Sequence, residues 1–189
     1  MTNLPTQAFD ELHSLQLKRT DAYTNSDDPD EYRDKIDTLT DKHGYTRLGS
    51  GDYRVVYGAE NHVVKVAWHK PGVRENRAEY DNWVAAADVE VICAENDQSY
   101  IDSTTVDEAR AEGEVCPARR YLASIERIAD TGGWLIMNRV AASDSNVRVR
   151  ETDKIRSVLS EQGLYIDEIA PYNVGRVDGR PVIFDYGGT

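Results

Sequence analysis

The chain has 189 residues, with 34 acidic side chains against 22 basic ones and a formal net charge of −12. A surface this acidic excludes a general nucleic-acid binder, which needs a basic face, and it argues against docking on an anionic membrane. No apolar run approaches the roughly 18 residues of a membrane span, and the length suits one domain, or one domain with an added arm, that can bury a real core.

Residues 6–20 carry Phe9, Leu12, Leu15 and Leu17 at near-helical spacing, which predicts a short amphipathic helix. A polar break over 24–30 follows. Ser26 or Asp27 is the candidate cap of a second helix over 29–42, which His43-Gly44 ends. Residues 1–44 thus form a helical arm, either a docking element or a packing helix. From Tyr45 the pattern turns to strands, over 45–49, 53–58 and 62–68, with a glycine turn after the first and a reversal at Glu60-Asn61. Pro71-Gly72 then opens a helix over about 74–87, with Tyr80, Trp83, Val84 and Ala87 on its apolar face. The polar stretch 95–117 holds a short helix near 105–112. Tyr121–Ile128 and Trp134–Val140 read as strands joined at residues 130–133, and a helix over 151–162 ends at Gly163. Leu164–Ile166 and Val182–Phe184 are short strand pieces, with Asp178-Gly179 a hairpin turn before the second.

Three stretches carry chemistry-bearing residues in a telling order. Leu48-Gly49-Ser50-Gly51-Asp52-Tyr53-Arg54-Val55-Val56-Tyr57 is a glycine-rich turn between apolar runs. Val63-Val64-Lys65-Val66-Ala67 is a strand with one lysine. Late in the chain come Asp167-Glu168-Ile169-Ala170-Pro171-Tyr172-Asn173 and then Asp185-Tyr186-Gly187. A glycine loop, a strand lysine, an acid-to-asparagine loop and an Asp-x-Gly, in that order, resemble the nucleotide site of the protein-kinase-like family over about residues 45–187. The resemblance implies an α+β fold: a small lobe over 45–140, with a five-stranded antiparallel sheet and a helix, then a truncated large-lobe stub over 141–189.

It also implies site roles. Gly49 and Gly51 let backbone amides approach phosphates, unless the turn is a hairpin with no ligand. Arg54 stands where the family has its third glycine and either adds a cationic phosphate contact or fills the cleft. Val56 and Met137 bound the adenine pocket, and backbone groups at 138–140 hydrogen-bond the base. Lys65, if it does not simply face solvent, bridges phosphates and a helix glutamate; Glu79 is the first choice and Glu75 the fallback. Asn173 and Asp185 are the oxygen ligands of Mg²⁺ held with ATP. At the catalytic-base position stands Glu168, not aspartate, with Asp167 as a substitute, and Ala170 replaces a lysine.

The family's activation segment would begin after Asp185-Tyr186-Gly187, which only Gly188 and Thr189 follow. The resemblance therefore implies a catalytically degenerate, pseudokinase-like nucleotide binder. Two alternatives remain at this point: a structural or adaptor protein using the fold without nucleotide, and an active small-molecule kinase. Acid excess, 16 arginines against 6 lysines and 20 aspartates resemble proteins of salt-loving archaea and their viruses. That implies a cytoplasmic protein or a virion component with a protein partner. The first residues have neither a basic start nor an apolar stretch, so no secretion signal is expected. Cys93 and Cys116, and His13, His43, His62 and His69, form no metal-ligand spacing.

Overall fold

A computed structural model describes residues 8, 10–15, 29–93, 106–111, 115–142, 149–161, 163–164, 166, 169–178 and 180–186. The protein is α+β, and its main sheet has five antiparallel strands. Among the described residues no helix is long and apolar enough to cross a membrane. Two compact units divide the chain, one comprising Met1–Arg77 with Ile125–Arg139, the other Ala78–Ser124 with Val140–Thr189.

The first unit contains the sheet and the arm. Residues 10–15 (α1) and Pro29–Lys42 (α2) are helical, followed by β1 (Thr46–Ser50), β2 (Arg54–Gly58) and β3 (His62–Ala67). After the third strand the helix α3 (Lys70–Ala85) begins, and β6 (Ile125–Ile128) and β7 (Trp134–Asn138) complete the sheet in the order β1-β2-β3-β7-β6. Directly paired residues of neighbouring strands share a face, so the register sorts the side chains. Val55 pairs with Val66, Tyr57 with Val64, Val64 with Ile136 and Val66 with Trp134. This face meets the arm: Leu12, Ile36 and Tyr45 join those residues, Trp68 and Ala129 in one hydrophobic core. Burying each large apolar side chain stabilises by about 1.5–3 kcal/mol. The arm is a packing element of the sheet, pinned as well by the Tyr57 hydroxyl donating to Asp37 at 2.6 Å.

The second unit holds β4 (Glu90–Ile92) paired with β5 (Val115–Pro117), α4 (Val106–Ala111), and α5 (Val149–Glu161). A three-stranded sheet of β10 (Arg180–Ile183), β9 (Val174–Val177) and β8 (Ala141–Ala142) completes it. Asp178 takes the positive φ of 52° at the β9–β10 turn, where Val177 pairs with Arg180 across a two-residue loop.

Several sequence expectations need correction. Helix α3 begins at Lys70, not near 74, with Pro71 and Gly72 inside its first turn. Proline is tolerated there because the missing N–H would have no intrahelical acceptor. Gly72 is required by a close approach: a Cβ would stand 2.3 Å from the Tyr53 carbonyl oxygen. The expected apolar face of this helix is not the buried one. Val84 is 46% exposed, whereas Asn76 and Glu79 are fully buried. Residues 118–121 form a 3-10 turn, not the start of a strand; the strand begins at Ile125. Leu164 and Ile166 lie in no strand. The Leu164 amide instead donates to the Leu159 carbonyl across Gly163, whose φ of 78° turns the end of α5 back on itself. Ser26 and Asp27, the expected caps, lie outside the described residues.

Candidate functional site

In the first unit the candidate residues follow from strand register. Gly49 pairs with Val56, Val56 with Lys65, and Lys65 with Leu135, so these four form one row across four strands. Arg54 pairs with Ala67, and Val63 with Met137, on that same face. Gly49, Arg54, Val56, Lys65 and Met137 therefore share the face opposite the one that meets the arm. Lys65 is 3% exposed and Met137 1%. On β3, Val64 and Val66 face the arm while Lys65 lies on the other side, at a depth where a charge is costly unless it is compensated.

The glycine turn is held firmly from one flank. The Gly51 amide donates to the Arg54 carbonyl at 2.9 Å, the Trp68 amide to the Tyr53 carbonyl at 3.0 Å, and the Trp68 indole to the Asp52 carbonyl at 2.9 Å. Sequence reading missed Trp68 as the residue that fixes this turn; its place just after the lysine strand was the available signal. Gly49 and Gly51 are exposed, and a Cβ built on either meets no atom within 4 Å. Packing does not account for glycine at these two positions.

Arg54 has settled partners. Its Nε lies 2.7 Å from Glu75 Oε2, and Nη1 donates to Asn76 Oδ1 at 3.4 Å. Asn76 in turn donates to the Gly132 carbonyl at 2.9 Å. The arginine at the third-glycine position thus ties the turn to α3, and Glu75, the fallback partner of Lys65, is engaged with it. The stretch expected to hydrogen-bond a base through its backbone is also partly committed. The Arg139 amide donates to the Asn61 carbonyl at 2.9 Å, and its guanidinium to the Ala59 carbonyl at 3.1 Å.

In the second unit the structure brings Asn173 and Asp185 onto adjoining backbone segments. Val174 pairs with Ile183, and the Phe184 amide continues the ladder by donating to the Asn173 carbonyl at 2.9 Å. The residues flanking Asp185 are both anchored. Tyr186, 1% exposed, donates its hydroxyl to the Ala123 carbonyl at 2.8 Å, and its own carbonyl accepts from Asn82 Nδ2 at 3.0 Å. Glu79, fully buried on α3, lies close enough to act on the same ring. Burial first, and then the Glu79 carboxylate, push the Tyr186 phenol far above its ordinary range. Asn173 is 8% exposed and Asp185 partly exposed. An amide oxygen and a carboxylate are hard donors suited to magnesium, which keeps most of its waters and takes few protein ligands. Among the described residues no group of three or more His, Cys, Asp or Glu side chains is arranged to hold a metal ion.

Asp167, Glu168 and Gly187 lie outside the described residues. Ala170 is partly buried, and its carbonyl accepts from the Asn173 amide at 2.9 Å, closing the 3-10 turn Pro171–Asn173. Comparison of the chain with protein-family models and with curated proteins found no match.

Proposed function

We propose that this is a protein-kinase-like nucleotide-binding protein, catalytically degenerate, that takes ATP with Mg²⁺. The observation that carries the reading is the sheet face bearing Gly49, Val56, Lys65 and Met137. A single buried lysine stands in a row with a glycine, on the face that the arm does not occupy. On this reading the amides around Gly49 and Gly51 meet phosphate oxygens, which explains glycines that no protein atom crowds. Lys65 supplies the positive charge for the phosphates, and Val56 and Met137 give the base an apolar surface. In the second unit Asn173 and Asp185 are hard oxygen donors of the kind a divalent ion takes.

Weak or absent phosphoryl transfer follows from composition of the acid-to-asparagine loop. Glu168 stands at the catalytic-base position and Ala170 where the family has a lysine. A carboxylate one methylene longer is displaced from the acceptor hydroxyl, and a displacement of about 1 Å can cost roughly a hundredfold in rate.

A second reading, a scaffold or virion component that uses the fold without nucleotide, is favoured by Arg54. Its guanidinium is engaged by Glu75 and Asn76. The exposed Asp52 at the turn also adds negative charge where phosphates would approach.

Thermal unfolding in concentrated potassium chloride separates the two. At about a hundred times the dissociation constant, ATP–Mg²⁺ contributes roughly 2.7 kcal/mol, which for a chain of this length raises the Tm by about 5–10 °C. Lys65→Met removes that rise. An unchanged Tm of the wild-type protein at millimolar ATP–Mg²⁺ would sink the nucleotide reading.

A further inference from the structure

We infer that Tyr186 and Asn82 are positioning residues that hold the Asp185 carboxylate ready for a divalent cation; this rests on the reading of Asp185 as a metal ligand. Four hydrogen bonds clamp the backbone on both sides of Asp185. Upstream, the Phe184 amide donates to the Asn173 carbonyl, and the Ile183 carbonyl accepts from the Ala123 amide at 2.7 Å. Downstream, the Tyr186 carbonyl accepts from Asn82, and the Tyr186 hydroxyl returns to the Ala123 carbonyl. Ala123 therefore receives Tyr186 through its carbonyl and grips Ile183 through its amide, closing a loop of bonds around residues 183–186. Leu122 adds a parallel bridge to Ile183.

Tyr186 itself is 1% exposed, while Asp185 beside it is partly exposed. Such an arrangement fixes the φ and ψ of Asp185 through its neighbours. Asn173 is fixed to the same ladder, so the clamp sets the spacing of the two oxygen donors. Groups that orient metal ligands without touching the metal typically change affinity by about 10–100-fold when removed. A phenylalanine at 186 would fill the same space but lose the hydroxyl bond, and an alanine at 82 would release the carbonyl.

The test uses Mn²⁺ alone, followed by the paramagnetic signal of the free ion, on the full chain held well below its Tm. Wild-type protein should bind Mn²⁺, and Asp185→Asn should abolish it. Tyr186→Phe and Asn82→Ala should each weaken Mn²⁺ by about tenfold while circular dichroism shows both fully folded at the assay temperature. Wild-type Mn²⁺ affinity in both variants would overturn the clamp while leaving Asp185 as a ligand. Absence of Asp185-dependent Mn²⁺ binding in the wild type would overturn both. Should one variant fail to fold, the other decides by the same comparison, since their bonds reach Tyr186 from different elements.

Discussion

Replacing Gly72 with alanine tests how α3 meets the glycine turn. An added Cβ would lie 2.3 Å from the Tyr53 carbonyl oxygen, about 1.1 Å short of the 3.4 Å at which ordinary contact begins. It would also lie 3.0 Å from Arg54 Cγ and 3.1 Å from Ala67 Cβ. The first obstacle is backbone and cannot rotate away. That carbonyl also accepts the Trp68 amide at 3.0 Å, so moving it disturbs a second bond. Overpacking of this kind costs about 1–3 kcal/mol, and a weakened backbone hydrogen bond about 1 kcal/mol more. Alanine's better helix propensity returns about 1 kcal/mol. The net expectation is a loss of about 1–3 kcal/mol, read as a lower urea midpoint with an unchanged m-value. Gly49→Ala and Gly51→Ala are the matched controls. Neither Cβ meets an atom within 4 Å, so stability should stay within about 0.5 kcal/mol, while the ATP-dependent rise in Tm shrinks. An equal or higher urea midpoint for Gly72→Ala would refute the close packing of α3 on the turn.

Alkaline titration reports on three buried phenols. Burial, aided by Glu126 for Tyr45, by Asp37 for Tyr57 and by Glu79 for Tyr186, raises all three above the ordinary value of 10.0. A pKa raised on folding favours the protonated folded form, so this contribution is complete below pH 10 and is lost as pH rises beyond it. Absorbance near 295 nm should show part of the 11 tyrosines ionising only together with unfolding; a single unshifted titration of all of them would contradict the burial. Of the two cysteines, Cys116 is buried and Cys93 partly exposed. A thiol reagent should modify Cys93 in the native protein and Cys116 only after denaturant is added; equal native rates would show that β5 is open to solvent.

Where local pattern and burial agree, the sequence was readable. The helix over 29–42 and the three strands around the glycine turn lie within a residue or two of expectation, because valine-rich runs bounded by turn residues admit few alternatives. The α+β class and a five-stranded antiparallel sheet, which the family resemblance implied, are both present. The failures have a common cause in tertiary packing. Helix α3 was misread because its buried side carries Asn76 and Glu79, polar groups that no apolar periodicity reveals. Its start was misread because Pro71-Gly72 looks like a break, whereas Gly72 is there for contact with Tyr53. Tyr121 reads as strand but belongs to a 3-10 turn whose Leu122 then bridges Ile183, a pairing some 60 residues distant in sequence. At the candidate site, Lys65, Asn173 and Asp185 could be nominated from order alone. The bonds that hold the glycine turn, from Trp68, and the backbone around Asp185, from Asn82 and Ala123, could not, since each joins segments that share no local motif.

The arm's place on the sheet has a practical consequence. Trimming the chain to begin at Tyr45 would strip Leu12 and Ile36 from Val55, Val64 and Ile136, leaving a greasy wall wet and prone to self-association. Anyone seeking a minimal soluble fragment should therefore keep both leading helices. The chain itself has upholstered that side of the sheet, so the arm closes it to any small visitor.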